Sequence, residues 1–203
     1  GVFFLGSQCA SLFADGTQTN KGLFTQKTDF TELQAADENG IRLPKGFRSR
    51  VVARSSERVI SAAEYIWHDA PDGGACFATD DGGWIYVSNS EIIDYKGGVG
   101  GIRFNTKGDI VDAYPILQYS NYNCAGGKTP WNTWLSCEEV DRGRVWECDP
   151  YGVKKAEIRS ALGYFKHEAV TVDELHQQLF LTEDEEDGNF YRFIPSNKLP
   201  NLD

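Results

Sequence analysis

The segment from Asn123 to Glu139, Asn-Cys-Ala-Gly-Gly-Lys-Thr-Pro-Trp-Asn-Thr-Trp-Leu-Ser-Cys-Glu-Glu, concentrates residue types that do metal chemistry. Cys124 is followed by Ala125-Gly126-Gly127, whose small or missing side chains let the backbone turn tightly and a ligand come close. The run ends in two adjacent carboxylates, Glu138 and Glu139, and between the ends Trp131 and Trp134 supply apolar bulk that shields a site from water and stiffens it. A thiolate beside hard oxygen donors is a mixed ligand set: iron suits the sulfur, and calcium or another hard cation suits the carboxylates. Spacing alone does not decide for it. A lone cysteine also serves as a small buried hydrophobe, and a glutamate pair after a strand also serves as a solvated loop.

The elements that would position these residues read as short strands with Gly-rich turns. Strand patterns occur at Phe47–Ser55, Trp84–Ser88, Gly101–Asn105, Ile110–Val111, Arg144–Cys148, Gln178–Thr182 and Phe190–Ile194, whereas Thr28–Leu33 offers only a brief helical signal. Three of the strands end alike, in acidic or amide residues: YVSNSE at 86–91, WLSCEE at 134–139 and FLTEDEED at 180–187. Repeated strand-then-polar-loop units predict an all-β radial architecture in which each unit delivers its loop to one common face, and a β-propeller fits this best, with a β-sandwich as the alternative. At about 40–50 residues per blade the chain supplies about three blades, fewer than the usual ring of about 4–8, so the expectation is an incomplete ring completed by further C-terminal blades or a complementary chain. Residues 1–42 read as an irregular arm and 43–203 as the partial propeller domain. Within the arm, the apolar stretch 1–14 reads either as the remnant of an export signal or as an ordinary apolar segment packed on the domain.

Composition narrows the function classes. With 40% hydrophobic and 13% aromatic residues the 203-residue chain has the material for a packed core. Its formal net charge of -10 argues against a nucleic-acid partner, because phosphate backbones are bound by basic surface, and suits cations instead. An anionic substrate would then require bound metal or a local arginine to reverse the field at the site. The five cysteines contain no C-x-x-C pair and the three histidines no H-E-x-x-H, so neither a zinc ribbon nor a zincin is indicated. No stretch has the length of a transmembrane helix.

The Asn123–Glu139 string resembles the signature of the PhoX alkaline phosphatase family, in which a similar N-C-A-x-G-x-T-P-W-x-T-W-L-x-C-E-E run holds the active-site metals. Other segments agree in order: Leu43–Phe47, Pro71-Asp72-Gly73-Gly74, Glu147–Pro150, Leu162–Val170, and Leu181–Asp184 with Tyr191–Pro195, so that the resemblance covers nearly everything from Leu43 onward. It implies a calcium- and iron-dependent phosphomonoesterase of the periplasm or exterior, exported by the twin-arginine route, with this chain as its N-terminal half.

Carried over position by position, the resemblance makes Cys124 the iron ligand and Glu139, Glu138 and Glu168 the leading carboxylate ligands. Asn89 and Glu91 match the start of the site, although Ser90 stands where the family commonly has a histidine, N-S-E in place of N-H-E. Glu183 and Asp184 read equally as calcium ligands or as caps of their blade. Asn123, Thr129, Trp131 and His167 are expected to support the ligands, His167 as a structural residue and not as a general base. Cys137 and Cys148 read as buried strand residues, Cys9 and Cys76 carry no functional signal, and Asp72-Gly73 reads as a turn whose Asp lies near the mouth, within reach of a metal. The reaction implied is hydrolysis of a small phosphomonoester, with a further arginine supplied from outside this chain. Two other classes remain open at this point: a non-catalytic calcium-binding propeller module, and a propeller esterase or lactonase.

Overall fold

The computed structural model describes residues 32–202, and the chain divides into two compact units at Val51 and Val52. In the first, Asp37 organises a turn: its Oδ1 accepts from the backbone N–H groups of Asn39 and Ile41, and its Oδ2 from the Ser49 hydroxyl. Leu33 bridges to Pro44. Of the helical expectation at 28–33, residues 28–31 lie outside the described residues, as does the apolar stretch 1–14.

The second unit is all-β, apart from one 3₁₀ turn at Ser160–Leu162. It consists of three antiparallel meanders in chain order. The first is β1 (Pro71–Ala78), β2 (Trp84–Ser90), β3 (Gly97–Phe104) and β4 (Ile110–Ser120); the second is β5 (Asn123–Lys128), β6 (Trp134–Glu138), β7 (Val145–Cys148) and β8 (Glu157–Ile158); the third is β9 (His167–Asp173), β10 (Gln178–Glu183) and β11 (Phe190–Phe193). The strand patterns from Trp84 onward are all realised. The one at Phe47–Ser55 is not: residues 47–54 adopt no strand. The stretch crosses the division between the units, with Val51 47% exposed while Val52 and Ala53 pack on the outer face of the first sheet. Alternating Val and Arg make a strand only where a neighbouring ladder accepts them.

The sheets pack face to face, and the two-residue period of each strand decides which neighbour each side chain meets. Ile85 and Val87 of β2, with Phe77, Val99 and Leu117, meet Trp134 and Cys148 of the second sheet. Leu135, Cys137 and Val145, on the other face of that sheet, meet Val170, Leu179 and Leu181 of the third. The fully buried Cys137 and Cys148 therefore fill the two seams as small hydrophobes. The outer face of the first sheet is covered by the segment that carries Ala63 and Trp67.

A backbone repeat runs through all three sheets. In each, the first residue of the first strand pairs with the last residue of the second: Pro71 with Ser90, Asn123 with Glu138, His167 with Glu183. Immediately afterwards the first strand carries one extra residue, and the pairing resumes at Gly74–Ser88, Gly126–Ser136 and Val170–Leu181. The residue after the second strand then donates its N–H to the carbonyl before the first: Glu91 to Ala70, Glu139 to Tyr122 and Asp184 to Lys166, at 2.9, 2.9 and 3.1 Å. A bulge of this kind breaks the ladder locally and re-aims the side chain it carries. Asp72-Gly73, expected to be a turn, is the bulge of β1.

Candidate metal centre

The three bulges carry Asp72, Cys124 and Glu168, and the three strand ends carry Glu91, Glu139 and Asp184. Donor atoms of Cys124, Glu139 and Glu168 lie within 4.8 Å of one another, and so do those of Asp72, Glu91 and Cys124. The Cys124 thiol donates to Glu168 Oε2 at 3.3 Å and stands 3.9 Å from Asp72 Oδ2. Cys124 is itself buried, 7% exposed, at the junction of the two groups.

The electrostatics are those of acidic groups gathered closely enough to raise one another. Burial, and then the hydrogen bond from Asp184 and the charges of Glu168 and Asp184, push Glu139 up to about 7, against the lowering effect of its bond with Cys124. Burial followed by the charge of Asp72 raises Glu91. Burial, then the adjoining Glu168 carboxylate, raises the Cys124 thiol strongly. Each group would be relieved by a cation between them. The donor chemistry fits such a cation: one soft sulfur shared by two sets of hard oxygens, the combination that iron and calcium use.

Close backbone approach makes this convergence possible. A Cβ at Gly73 would meet Ala125 Cα at 2.7 Å and the Cys124 carbonyl oxygen at 2.9 Å, so the bulges of β1 and β5 touch only because residue 73 has no side chain. Asn89 locks the β5 bulge from the first sheet. Its Nδ2 donates to the carbonyls of Cys124 and Ala125, both at 2.8 Å, while its Oδ1 accepts from Trp134 Nε1 and the Ser136 hydroxyl, also at 2.8 Å. Asn123 extends the lock, donating to Ser136 Oγ and accepting from Ser120 Oγ. Asn89 has its full amide capacity committed to holding Cys124 in place and offers no free ligand atom to a metal.

Adjacent residues of the sequence signature separate by role. Glu138 is 1% exposed and turns away from Glu139. Its Oε1 accepts from Asn121 N, Arg144 Nη2 and Trp146 Nε1, and its Oε2 from Arg144 N and Nε, five donors that leave no lone pair for a cation. Glu183 is engaged through one oxygen: its Oε2 accepts from the backbone N–H and side-chain amide of Asn189 and from the Tyr191 hydroxyl. Asn89 and Glu138 thus support the fold beside the cluster and Glu183 holds the turn to Asn189 through Oε2, whereas Asp184 bonds to Glu139. Ser90 donates to the Asp69 carbonyl and fixes the approach to β1.

Thr129 and Trp131 sit at the opposite end of the β5–β6 hairpin, about 15 Å from Cys124 along the strand. There Thr129 Oγ1 accepts from Thr133 N, and Trp131 Nε1 donates to Glu147 Oε1, which also accepts from the Thr133 hydroxyl. They shape the turn and do not touch the cluster. His167 is fully buried against Phe165, at 3.7 Å between ring centroids, and burial holds it neutral by pushing it down to about 4. Its Nε2 meets the Gly163 carbonyl at 3.2 Å, a structural anchor.

Sequence reasoning left Asp72 undecided and missed Gly73 as the contact point of the sheets and Ser136 as part of the Asn89 lock. The grammar of strand ends contained Glu91, Glu139 and Asp184 in register; no comparable likeness joins Asp, Cys and Glu at the bulges.

Comparison with curated proteins and with solved structures gives no match. Among the described residues no helix is long and apolar enough to cross a membrane. The family model described as Alkaline phosphatase PhoX matches residues 100–145 and 140–203, which together take in β4 to β11, the Cys124–Glu139–Glu168 group and more than half of the sequence. The chain belongs to the PhoX alkaline phosphatase family.

Proposed function

We propose that the chain provides part of the active centre of a metal-dependent phosphomonoesterase, with iron held at Cys124 and calcium among the carboxylates, on three blades of a β-propeller. The convergence of a buried thiol with Glu139 and Glu168 carries this reading, because a soft and a hard donor set meet there inside a phosphatase family's signature. The three-meander order, each sheet setting its first strand beside the preceding sheet's first strand, supports the propeller. Bound cations in such a site supply charge that neutralises the phosphoryl oxygens and lowers the pKa of an oxygen nucleophile.

The residues of this chain do the holding. Cys124, Glu139 and Glu168 offer the ligand atoms; Asn89 and Asn123 fix the bulge that aims the thiol; Trp134, 3% exposed, closes the seam below Cys124 to water. Preorganised ligands of this kind lose little free energy to rearrangement when charge develops on the substrate. The family places such enzymes outside the cytoplasm, and a periplasmic or secreted location with small phosphomonoester substrates follows from the same reading.

Cys124→Ser in the full-length protein tests it. Iron and phosphomonoesterase activity should both fall to background while the melting temperature of the metal-free protein stays near that of wild type, because a hydroxyl replaces the thiol in volume but not as a soft donor. Iron and turnover at wild-type levels in the variant would overturn the assignment. Calcium without iron in the wild type, and no turnover, would instead support a binding module.

A further inference from the structure

An acidic chain that hydrolyses a phosphate ester must let an anion approach it. The formal net charge of -10 opposes that approach, and cations on the turns beside the cluster are the groups of this chain that can offset it. Two of them are already committed: Arg144 to Glu138 and Lys166 to Glu185. Arg142 is not. It is exposed, makes no hydrogen bond or ion pair among the described residues, and stands over the ring of Tyr164, 5.8 Å from its centroid. A guanidinium held by its face keeps its in-plane N–H groups free, and their fork matches the oxygens of a phosphate.

The backbone holds this arginine where a smaller residue would fit better. Residues 140–143 form a turn closed by the Gly143 N–H on the Val140 carbonyl at 2.7 Å. Arg142, the third residue of the turn, has a φ of 56°, whereas Asp141 before it stays out of the left-handed region. Those signs are the pattern of a type II turn, whose third residue is ordinarily glycine or asparagine. A glycine is present one place later and is needed there, because a Cβ at Gly143 would meet the Glu138 carbonyl oxygen at 2.0 Å and that of Phe165 at 2.9 Å. Arg142 therefore carries a left-handed backbone that costs an arginine more than a glycine. Strain kept at an exposed side chain with one ring contact points to a use for that side chain.

The turn also stands beside the cluster. Arg142 lies three residues beyond Glu139, at most about 11 Å away between Cα atoms even along an extended chain. Lys166 is raised by Glu185 and also by Glu139 and Asp141, so the turn and the cluster share one face of the molecule. We propose that Arg142 is a substrate-recognition residue that takes the phosphate oxygens of an incoming phosphomonoester at the edge of the site. This rests on the phosphomonoesterase reading above and adds to it a residue that acts in binding and not on the reacting bond.

The test is steady-state hydrolysis of p-nitrophenyl phosphate by the full-length protein at low and at high salt, with thermal unfolding of the same samples. Arg142→Gly should raise KM about fivefold, the size expected of an exposed ion pair, and keep kcat. The difference from wild type should shrink as salt is raised, because screening removes the attraction that the variant lacks. The melting temperature should be no lower than that of wild type, since glycine suits the turn; Arg142→Asn, also at home in a left-handed backbone, repeats the test should the glycine loosen it. Arg142→Lys should fall between, with the charge but without the fork. Lys107→Ala removes an equal charge from the turn after β3, at the other end of the first sheet, and should match wild type. A wild-type KM in Arg142→Gly and Arg142→Asn would overturn the proposal, as would a loss confined to kcat or one shared equally by Lys107→Ala. A wild type with no phosphomonoesterase activity would overturn the reading beneath it, which separates the two failures.

Discussion

Glu138 and Glu139 are adjacent, chemically identical and both drawn from one signature, yet they should respond oppositely to amide substitution. Glu138→Gln keeps the shape but removes the charge that five donors converge on, and turns an N–H₂ toward donors that include Arg144. Removing one partner of a buried pair costs about 3–5 kcal/mol, and because the Arg144 side chain is 27% exposed and can rehydrate, the lower end, about 3 kcal/mol, applies. For a chain of this size that is a fall of roughly 6–12 °C in melting temperature. Glu139→Gln should do the reverse in metal-free protein. Its carboxyl is already pushed up to about 7 by burial and by Asp184 and Glu168, so the neutral amide relieves repulsion and leaves the melting temperature unchanged or higher. With metal added the order inverts: Glu138→Gln should still bind the wild-type number of ions, and Glu139→Gln should bind fewer. Thermal unfolding by circular dichroism with and without chelator, and ion counts on the same samples, read all four states. Loss of ions from Glu138→Gln at an unchanged metal-free melting temperature would refute the separation of roles.

Gly73→Ala should lower stability by about 1–3 kcal/mol and reduce metal content together, since the added Cβ meets backbone atoms of Ala125 and Cys124 that cannot rotate away; normal ion binding at a wild-type melting temperature would show that the seam tolerates the methyl. His68 is held neutral by burial, pushed down to about 4, between the Tyr65 hydroxyl at 3.0 Å and the Ser88 hydroxyl at 3.2 Å. Its unfolded form takes up a proton near pH 6.5, so the stability it contributes is complete above that pH and is lost as pH falls toward 4, by about 2 kcal/mol between pH 7.5 and 5. Urea midpoints for wild type and His68→Phe over that range should show the slope of the variant reduced by this amount, and parallel slopes would exclude the histidine as its source.

The fold was readable wherever a strand's own pattern also matched its surroundings. Trp84–Ser88 alternates residues that each find a partner, Trp84 and Tyr86 on the outer face and Ile85 and Val87 in the seam, so period and packing agree. Phe47–Ser55 carries an equally good local pattern and forms no strand, because alternation describes a surface and not the ladder that must lie beside it. In the sequence, Gly126 and Gly127 read as room for a tight backbone turn and for a ligand to come close. Their missing side chains instead admit strand backbones: a Cβ at Gly126 would run into the Leu135 carbonyl, and one at Gly127 into that of Val170. The sequence signal, a place where something comes close, was right in kind, but which chain segment comes close depends on contacts between residues far apart in sequence.

The site shows the same limit in sharper form. Its strand-end half was legible because Glu91, Glu139 and Asp184 are alike and follow alike strands, so that similarity of type tracked similarity of position. Its bulge half has no such internal likeness: Cys124 and Glu168 are reached through the family resemblance and Asp72 reads only as a turn within reach of a metal, since a bulge is defined by pairing to another strand. Type does not separate them in the other direction: Glu138 and Glu183 are as acidic as Glu139 and Asp184 and lie one residue before them, but the two-residue period of a strand sends neighbours to opposite faces. One face meets the carboxylates and the thiol, and the other meets Arg144, Asn189 and Tyr191. What separates a residue of the thiol–carboxylate cluster from a fold residue in this chain is therefore the parity of its position relative to the bulge, a quantity that becomes visible only once the register of the three sheets is known.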